Sequence, residues 1–315
     1  MASVSTILRA LLLSTYVLLQ LPAVILPLLI GKLLFPAGHP VNLYLTRLVA
    51  PLGTSPYLIF LSTNVSVQIS SKLSPPTPGV SRFLLMTHSS TLDFMVVTIA
   101  AWIIRNSLGP AVCIIKKELL SLPFFGWLQL AAGSVPVSRS GDLEAAKTNL
   151  AIAENRSKEG YTIAGFPEGS RRRAPSKGPE HLLPFKKGMF HMAKNIAQSS
   201  GNRVEFIPLV MVGGNAAWPA NSILPIPASK IVIRVGDPIK MKHDESVEEL
   251  TERIRRCMQH EITETGAVLK DGTYSIETAF AKGTEIDLRK TLGFEAFLAI
   301  VPSVVTIYLA IHGML

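Results

Sequence analysis

Cysteine is nearly absent: Cys113 and Cys257 are the only two in 315 residues, and they share no metal-type spacing. Nothing here suggests a disulfide scaffold or a zinc site, and free thiols suit a domain facing the cytosol. Charge is also scarce. Asp, Glu, Lys and Arg make up 17% of the chain, against about 25% in an ordinary soluble domain. The shortfall is concentrated in two places. No charged residue occurs across positions 10–31, between Arg9 and Lys32, nor from Ala296 to Leu315. About 20 apolar residues cross a bilayer as a helix, so both runs are expected to be membrane segments. Pro22 and Pro27 leave two forms open for the first run, a full span or a re-entrant hairpin, and Ala23 also permits a cleaved signal peptide.

Acidic residues are outnumbered, 22 against 31 basic, for a net charge of +9. Beside two membrane segments, that surplus fits anionic lipid or a phosphorylated substrate better than nucleic acid. No internal repeat or low-complexity tract is present. No G-x-S-x-G elbow surrounds Ser89 or Ser90, which argues against a covalent serine mechanism.

Residues 1–34 therefore read as an N-terminal membrane anchor, and 35–79, rich in proline and glycine, as a connector. Within the connector, 56–69 fits either a second membrane-associated helix or an edge strand, and 71–79 is a linker. From residue 80 to 242 short apolar runs alternate with helical stretches. Strands are expected at 83–86, 111–115, 134–137, 161–166, 204–212 and 230–235, and helices at 92–105, 118–131, 142–158 and 186–198. In 142–158, Leu143, Ala146, Leu150 and Ala153 fall on one face, with Asp142 before the helix and Gly160 after it. This alternation predicts an α/β fold with a mostly parallel sheet flanked by helices. Residues 243–290 are polar with a helix at 246–264, and 291–315 form the C-terminal membrane segment. Arg289 and Lys290 precede the last run and nothing basic follows it, so the central domain is expected on the cytosolic side.

In such sheets the functional site lies beyond the carboxyl ends of the strands, and two polar constellations fall there. His88 directly follows the run 83–86, and Asp93 stands five residues later at the start of a helix. A carboxylate on one imidazole nitrogen fixes the tautomer and leaves the other nitrogen free as a base. Read alone, this H-x-x-x-x-D spacing fits equally a polar loop in which Asp93 caps a helix. The second constellation, Phe166 to Arg173, follows the strand at 161–166. Gly169 lets backbone approach a ligand, and the arginines offer planar donors suited to phosphate. Arg139 ends a third strand, and Lys117 lies just past a fourth.

Together the blocks HSSTLD (88–93), GSVPVSR (133–139), FPEGSRR (166–172) and FIPLVMV (206–212), in that order, resemble the 1-acylglycerol-3-phosphate acyltransferases of the glycerolipid acyltransferase superfamily. KKELLSLPFFGW (116–127) and PFKKGMF (184–190) resemble the same family, and the likeness spans about residues 80–240. The resemblance implies that His88 is the general base and Asp93 its orienting carboxylate. It implies that Arg139, Glu168, Gly169 and Arg171, assisted by Lys117, bind the acyl acceptor and its phosphate. It implies no metal or other cofactor, with acyl-CoA as co-substrate and lysophosphatidic acid as acceptor. Membrane lipids would surround the protein, in the endoplasmic reticulum. Thr87 stands where the family often has asparagine, and Ser170 where threonine is common. Two alternatives stay open: an acyltransferase for another lysophospholipid or for glycerol-3-phosphate, and a non-catalytic membrane adaptor on the same fold.

Overall fold

The structure, a computed structural model, describes residues 63–122, 125–137, 143–171, 181–218, 225–226, 228–267 and 275–288, with Leu26, 29–31, 33–35, Leu58 and Leu61 before them. The strands are β1 (Asn64–Ile69), β2 (Val80–Met86), β3 (Ala111–Lys116), β4 (Val135–Val137), β5 (Thr162–Gly165), β6 (Arg203–Val212), β7 (Lys230–Val235), β8 (Ile239–Lys240) and β9 (Thr284–Ile286). The helices are α1 (Asp93–Ile103), α2 (Arg105–Leu108), α3 (Phe125–Ala132), α4 (Leu143–Lys158), α5 (Gly188–Ser200), α6 (Gly214–Ala217), α7 (Val247–Glu264) and α8 (Ile276–Lys282).

One sheet runs in the order β4-β3-β5-β2-β6-β7-β1-β9, with β8 paired to β6. Adjacent strands from β4 to β6 are parallel, so their carboxyl ends share one edge. All six expected strands form. Their side chains alternate between two cores, as the two-residue strand period requires. Leu84, Met86, Ile207, Leu209 and Met211 face α1, whose Val96, Ile99 and Ala100 are buried with them. Phe83, Leu85, Phe206, Val210 and Val212 face the other way, onto Phe190 and Ile196 of α5 and the apolar stripe of α7. Both faces are covered, which is why these strands are apolar almost throughout.

The sheet is less parallel than its sequence implied. β7 pairs antiparallel with β6, and β9 antiparallel with β1. Parallel neighbours need a crossover of a dozen or more residues, usually a helix; only the four-residue α6 lies between β6 and β7 among the described residues. Residues 64–69 form a strand, but not an edge: β1 is bonded by β7 on one side and β9 on the other. The helix expected over 118–131 is divided. A 3-10 turn spans Lys117–Ser121, Leu122 is extended (φ −69°, ψ 126°), and α3 starts at Phe125. Pro123 is the reason, because the residue before a proline is driven out of the helical region.

The sheet also reaches beyond 80–242. β1 precedes that range, β9 follows it, and α7 packs the second core through Leu250, Ile254, Met258 and Ile262, all fully buried. Their four-residue spacing places them on one helix face. Ser246 and Glu249 form a reciprocal capping box at the start of α7. Of the two apolar runs, 10–31 lies mostly and 296–315 wholly outside the described residues. Among those described, no helix is long and apolar enough to cross a membrane.

Candidate active site

β2 stops at Met86 and α1 begins at Asp93; the six residues between them turn at the carboxyl edge of the sheet. The side chain of Asp93, the first residue of α1, is fully buried and points back into this turn. Its Oδ2 lies 2.9 Å from His88 Nδ1. The same oxygen accepts the backbone N–H groups of Ser89 at 2.5 Å and Ser90 at 2.8 Å. Asp93 therefore does more than terminate a helix. It folds the His88 turn around one carboxylate oxygen. Burial raises its pKa above the ordinary aspartate range, against the lowering effect of His88, Ser90 and Ser89. With Asp93 ionised, His88 Nδ1 carries the proton and Nε2 keeps its lone pair.

The imidazole stacks on Phe166, with ring centroids 4.3 Å apart and planes 24° from parallel. Its side chain keeps 23% of its surface exposed, whereas Asp93 has none. A half-enclosed base beside a buried carboxylate is equipped to receive a proton from a bound hydroxyl. Ser90 is tied down within the turn: its hydroxyl donates to Trp218 O and accepts from Leu92 N.

The second block emerges from β5, which lies beside β2. Gly169 adopts φ +70°, the left-handed region that favours glycine. Its N–H donates to Phe166 O at 2.9 Å and closes the turn. Glu168 is buried, and its oxygens accept backbone N–H groups: Oε1 from His88 at 2.8 Å, Oε2 from Leu183 at 3.0 Å. In this arrangement Glu168 holds the His88 turn to the second block. Arg171 is exposed, and its Nη1 donates to the hydroxyl of Thr91, inside the first block. Lys117 is exposed at the carboxyl end of β3, on the same edge but two strands from β2. Arg139 lies outside the described residues; β4, which leads to it, ends on this edge too.

Three neighbours of the dyad went unassigned in the sequence: Thr87, the Phe166 ring and Gly214. A Cβ built on Gly214 would sit 3.0 Å from Ser89 Oγ and 3.3 Å from Asp93 Oδ1. The available signal was the Gly213-Gly214 pair directly after the apolar run 204–212. Cys113 lies within β3, and desolvation pushes its thiol up to about 12.

Residues 66–212 match the family model described as Acyltransferase. A 1-acyl-sn-glycerol-3-phosphate acyltransferase from Cocos nucifera is 31% identical over 156 residues, covering 50% of this chain and 45% of that protein. The Saccharomyces cerevisiae protein of the same name is 26% identical over 187 residues, or 58% of this chain and 56% of the relative. The chain thus spans about half the length of the curated relatives it matches. Among solved structures, the 1-acyl-sn-glycerophosphate (LPA) acyltransferase PlsC from Thermotoga maritima superposes with a TM-score of 0.57. The superposition covers 84% of this chain and 98% of that one. At 19% identity this likeness concerns the fold.

Proposed function

From the match of residues 66–212 to the acyltransferase model and the likeness to its relatives, we propose that the chain moves a fatty-acyl group from acyl-CoA to the sn-2 hydroxyl of lysophosphatidic acid, yielding phosphatidic acid for phospholipid synthesis. The observation that carries this reading is the His88–Asp93 pair, 2.9 Å apart at the carboxyl edge of the sheet. In the reaction, His88 Nε2 takes the proton of the acceptor hydroxyl as its oxygen bonds to the thioester carbonyl carbon. The carbon–sulfur bond then breaks, and the departing CoA thiolate takes the proton from the imidazolium. Asp93 offsets the positive charge that the imidazole holds between these steps. The thioester is already activated, so no acyl-enzyme and no metal is needed.

Arg171 supports a phosphate-bearing acceptor. It is exposed, and its contact with Thr91 places its guanidinium beside the first block. A charge-assisted phosphate contact is worth roughly 1.5–3 kcal/mol. Arg171→Ala is therefore expected to raise KM for lysophosphatidic acid roughly tenfold or more, with a much smaller change for acyl-CoA. Steady-state kinetics with each substrate varied in turn provide the check. Equal effects on both substrates, or none, assign Arg171 to the solvated surface.

The uncharged runs 10–31 and 296–315 favour a membrane location, with the catalytic domain on the cytosolic face of the endoplasmic reticulum, where acyl-CoA is at hand. Product analysis of the purified protein, given a panel of lyso-acceptors and acyl-CoAs, tests the whole reading. Phosphatidic acid should dominate. A larger-headgroup product would redirect the acceptor assignment, and no product from any pair would favour a binding protein on this fold.

A further inference from the structure

We infer that Thr87 is a positioning residue for His88, acting through its hydroxyl on strand β6; the inference rests on the reading of His88 as the base. Parallel pairing of β2 with β6 ends at Met86, opposite Leu209. One more ladder bond follows, from Thr87 N to Leu209 O at 3.2 Å. If the ladder continued, the N–H of Met211 would next donate to the carbonyl oxygen of Thr87. It donates instead to the Thr87 hydroxyl, at 2.9 Å. Thr87 is buried, as is Met211. The side chain thus stands in for the backbone acceptor at the point where the main chain leaves the sheet.

This substitution has a geometric consequence. A continued ladder would hold residue 88 in β conformation along the sheet. With the hydroxyl satisfying Met211, the peptide after Thr87 is released from β6 and can turn toward Asp93 without leaving a buried donor unpaired. On the other side, the N–H of His88 is held by Glu168 Oε1 at 2.8 Å. Residues 87 and 88 are therefore anchored to β6 and to the β5 turn respectively, and the imidazole is aimed from a backbone held on both flanks. The hydrogen bonds of Thr87 run to Leu209 and Met211 of β6, so its effect should appear in turnover and not in binding. A misplacement of about 1 Å in a catalytic group lowers rate by as much as 10²-fold.

The test compares Thr87→Val, Thr87→Ser and Thr87→Ala in the purified full-length protein, alongside His88→Ala. Valine keeps the shape and removes the acceptor. Serine keeps the acceptor and removes the methyl group. Alanine leaves space for a water to pair with Met211 and serves if the valine variant does not fold. Kcat is expected to fall about ten- to a hundredfold in the valine and alanine variants. KM for both substrates should stay within about twofold, and serine should restore kcat to near the original value. Circular dichroism and thermal unfolding report the folded fraction, and kcat is expressed per folded molecule. Unchanged kcat in folded valine and alanine variants would overturn the inference, as would an equal loss in serine. A rise in one KM alone would move Thr87 to the substrate site and overturn it too. If His88→Ala retains activity, the base assignment itself has failed, a result separable from failure at Thr87.

Discussion

His88→Ala is expected to lower kcat by roughly two to four orders of magnitude, the range associated with losing a positioned general base. The protein should remain folded. The imidazole contributes one hydrogen bond to Asp93 and a ring contact with Phe166. Asp93 keeps both backbone donors of the turn when the ring is gone. Near-wild-type circular dichroism and a modest shift in Tm should accompany the kinetic loss. A folded His88→Ala protein turning over at the original rate would sink the mechanism. The alternative of a non-catalytic adaptor is addressed by the same measurement, since an adaptor has no rate to lose.

Asp93→Asn separates charge from geometry. Three donors converge on Asp93 Oδ2: His88 Nδ1–H and the N–H groups of Ser89 and Ser90. An asparagine at 93 will put its carbonyl oxygen there, because its amide nitrogen cannot accept. The His88 tautomer is then retained, and only the negative charge is lost. Because the backbone donors hold the oxygen in place, the loss falls on stabilisation of the imidazolium and not on the tautomer. Exchanging a charge-assisted hydrogen bond for a neutral one removes about 1–2 kcal/mol. On that basis kcat should fall roughly fivefold to thirtyfold, less than for His88→Ala. A loss equal to that of His88→Ala would mean the tautomer had flipped after all.

Stability should move the other way. Burial raises the pKa of Asp93 in the folded protein. Between the ordinary aspartate value and this raised one, the folded state binds more protons than the unfolded state. The contribution of Asp93 to stability therefore declines as pH rises through that window. Removing the ionisable group removes the decline, so Asp93→Asn should gain Tm relative to the wild type as pH increases from the ordinary aspartate range toward neutrality. Thermal unfolding followed across that range checks the sign. A relative Tm that falls with increasing pH would show that the carboxylate is stabilised, not penalised, by its surroundings.

Much of this site was legible because it is encoded over short distances. An apolar run followed by His88, and another followed by Phe166-Pro-Glu-Gly, mark strand ends that must open at one edge if their strands are parallel. The helix expected at 246–264 formed as α7, Val247–Glu264. Glu168 was harder to read. Its position beside three arginines fits either orienting an arginine or contacting the acceptor, and the structure adds that its oxygens accept from the backbone of His88 and Leu183. Nothing within the block FPEGSRR indicates that its carboxylate reaches across to a turn 80 residues earlier.

The amino-acid order alone determined the six strands from 80 to 235, their two-sided burial, and the placement of His88, Asp93, Glu168 and Arg171 at carboxyl ends. Each depends on side-chain periodicity or on turn chemistry within a few residues. Tertiary structure decided which ends are neighbours. β5 lies against β2 although they are separated by two intervening strands in the chain, and this adjacency alone brings Glu168 and Phe166 to His88. It also decided that residues 64–69 and 284–286 complete the sheet, and that β7 reverses direction. Strand pairing is won by packing across residues far apart in the chain, where hydrogen bonds are available to any partner and only the shared cores discriminate.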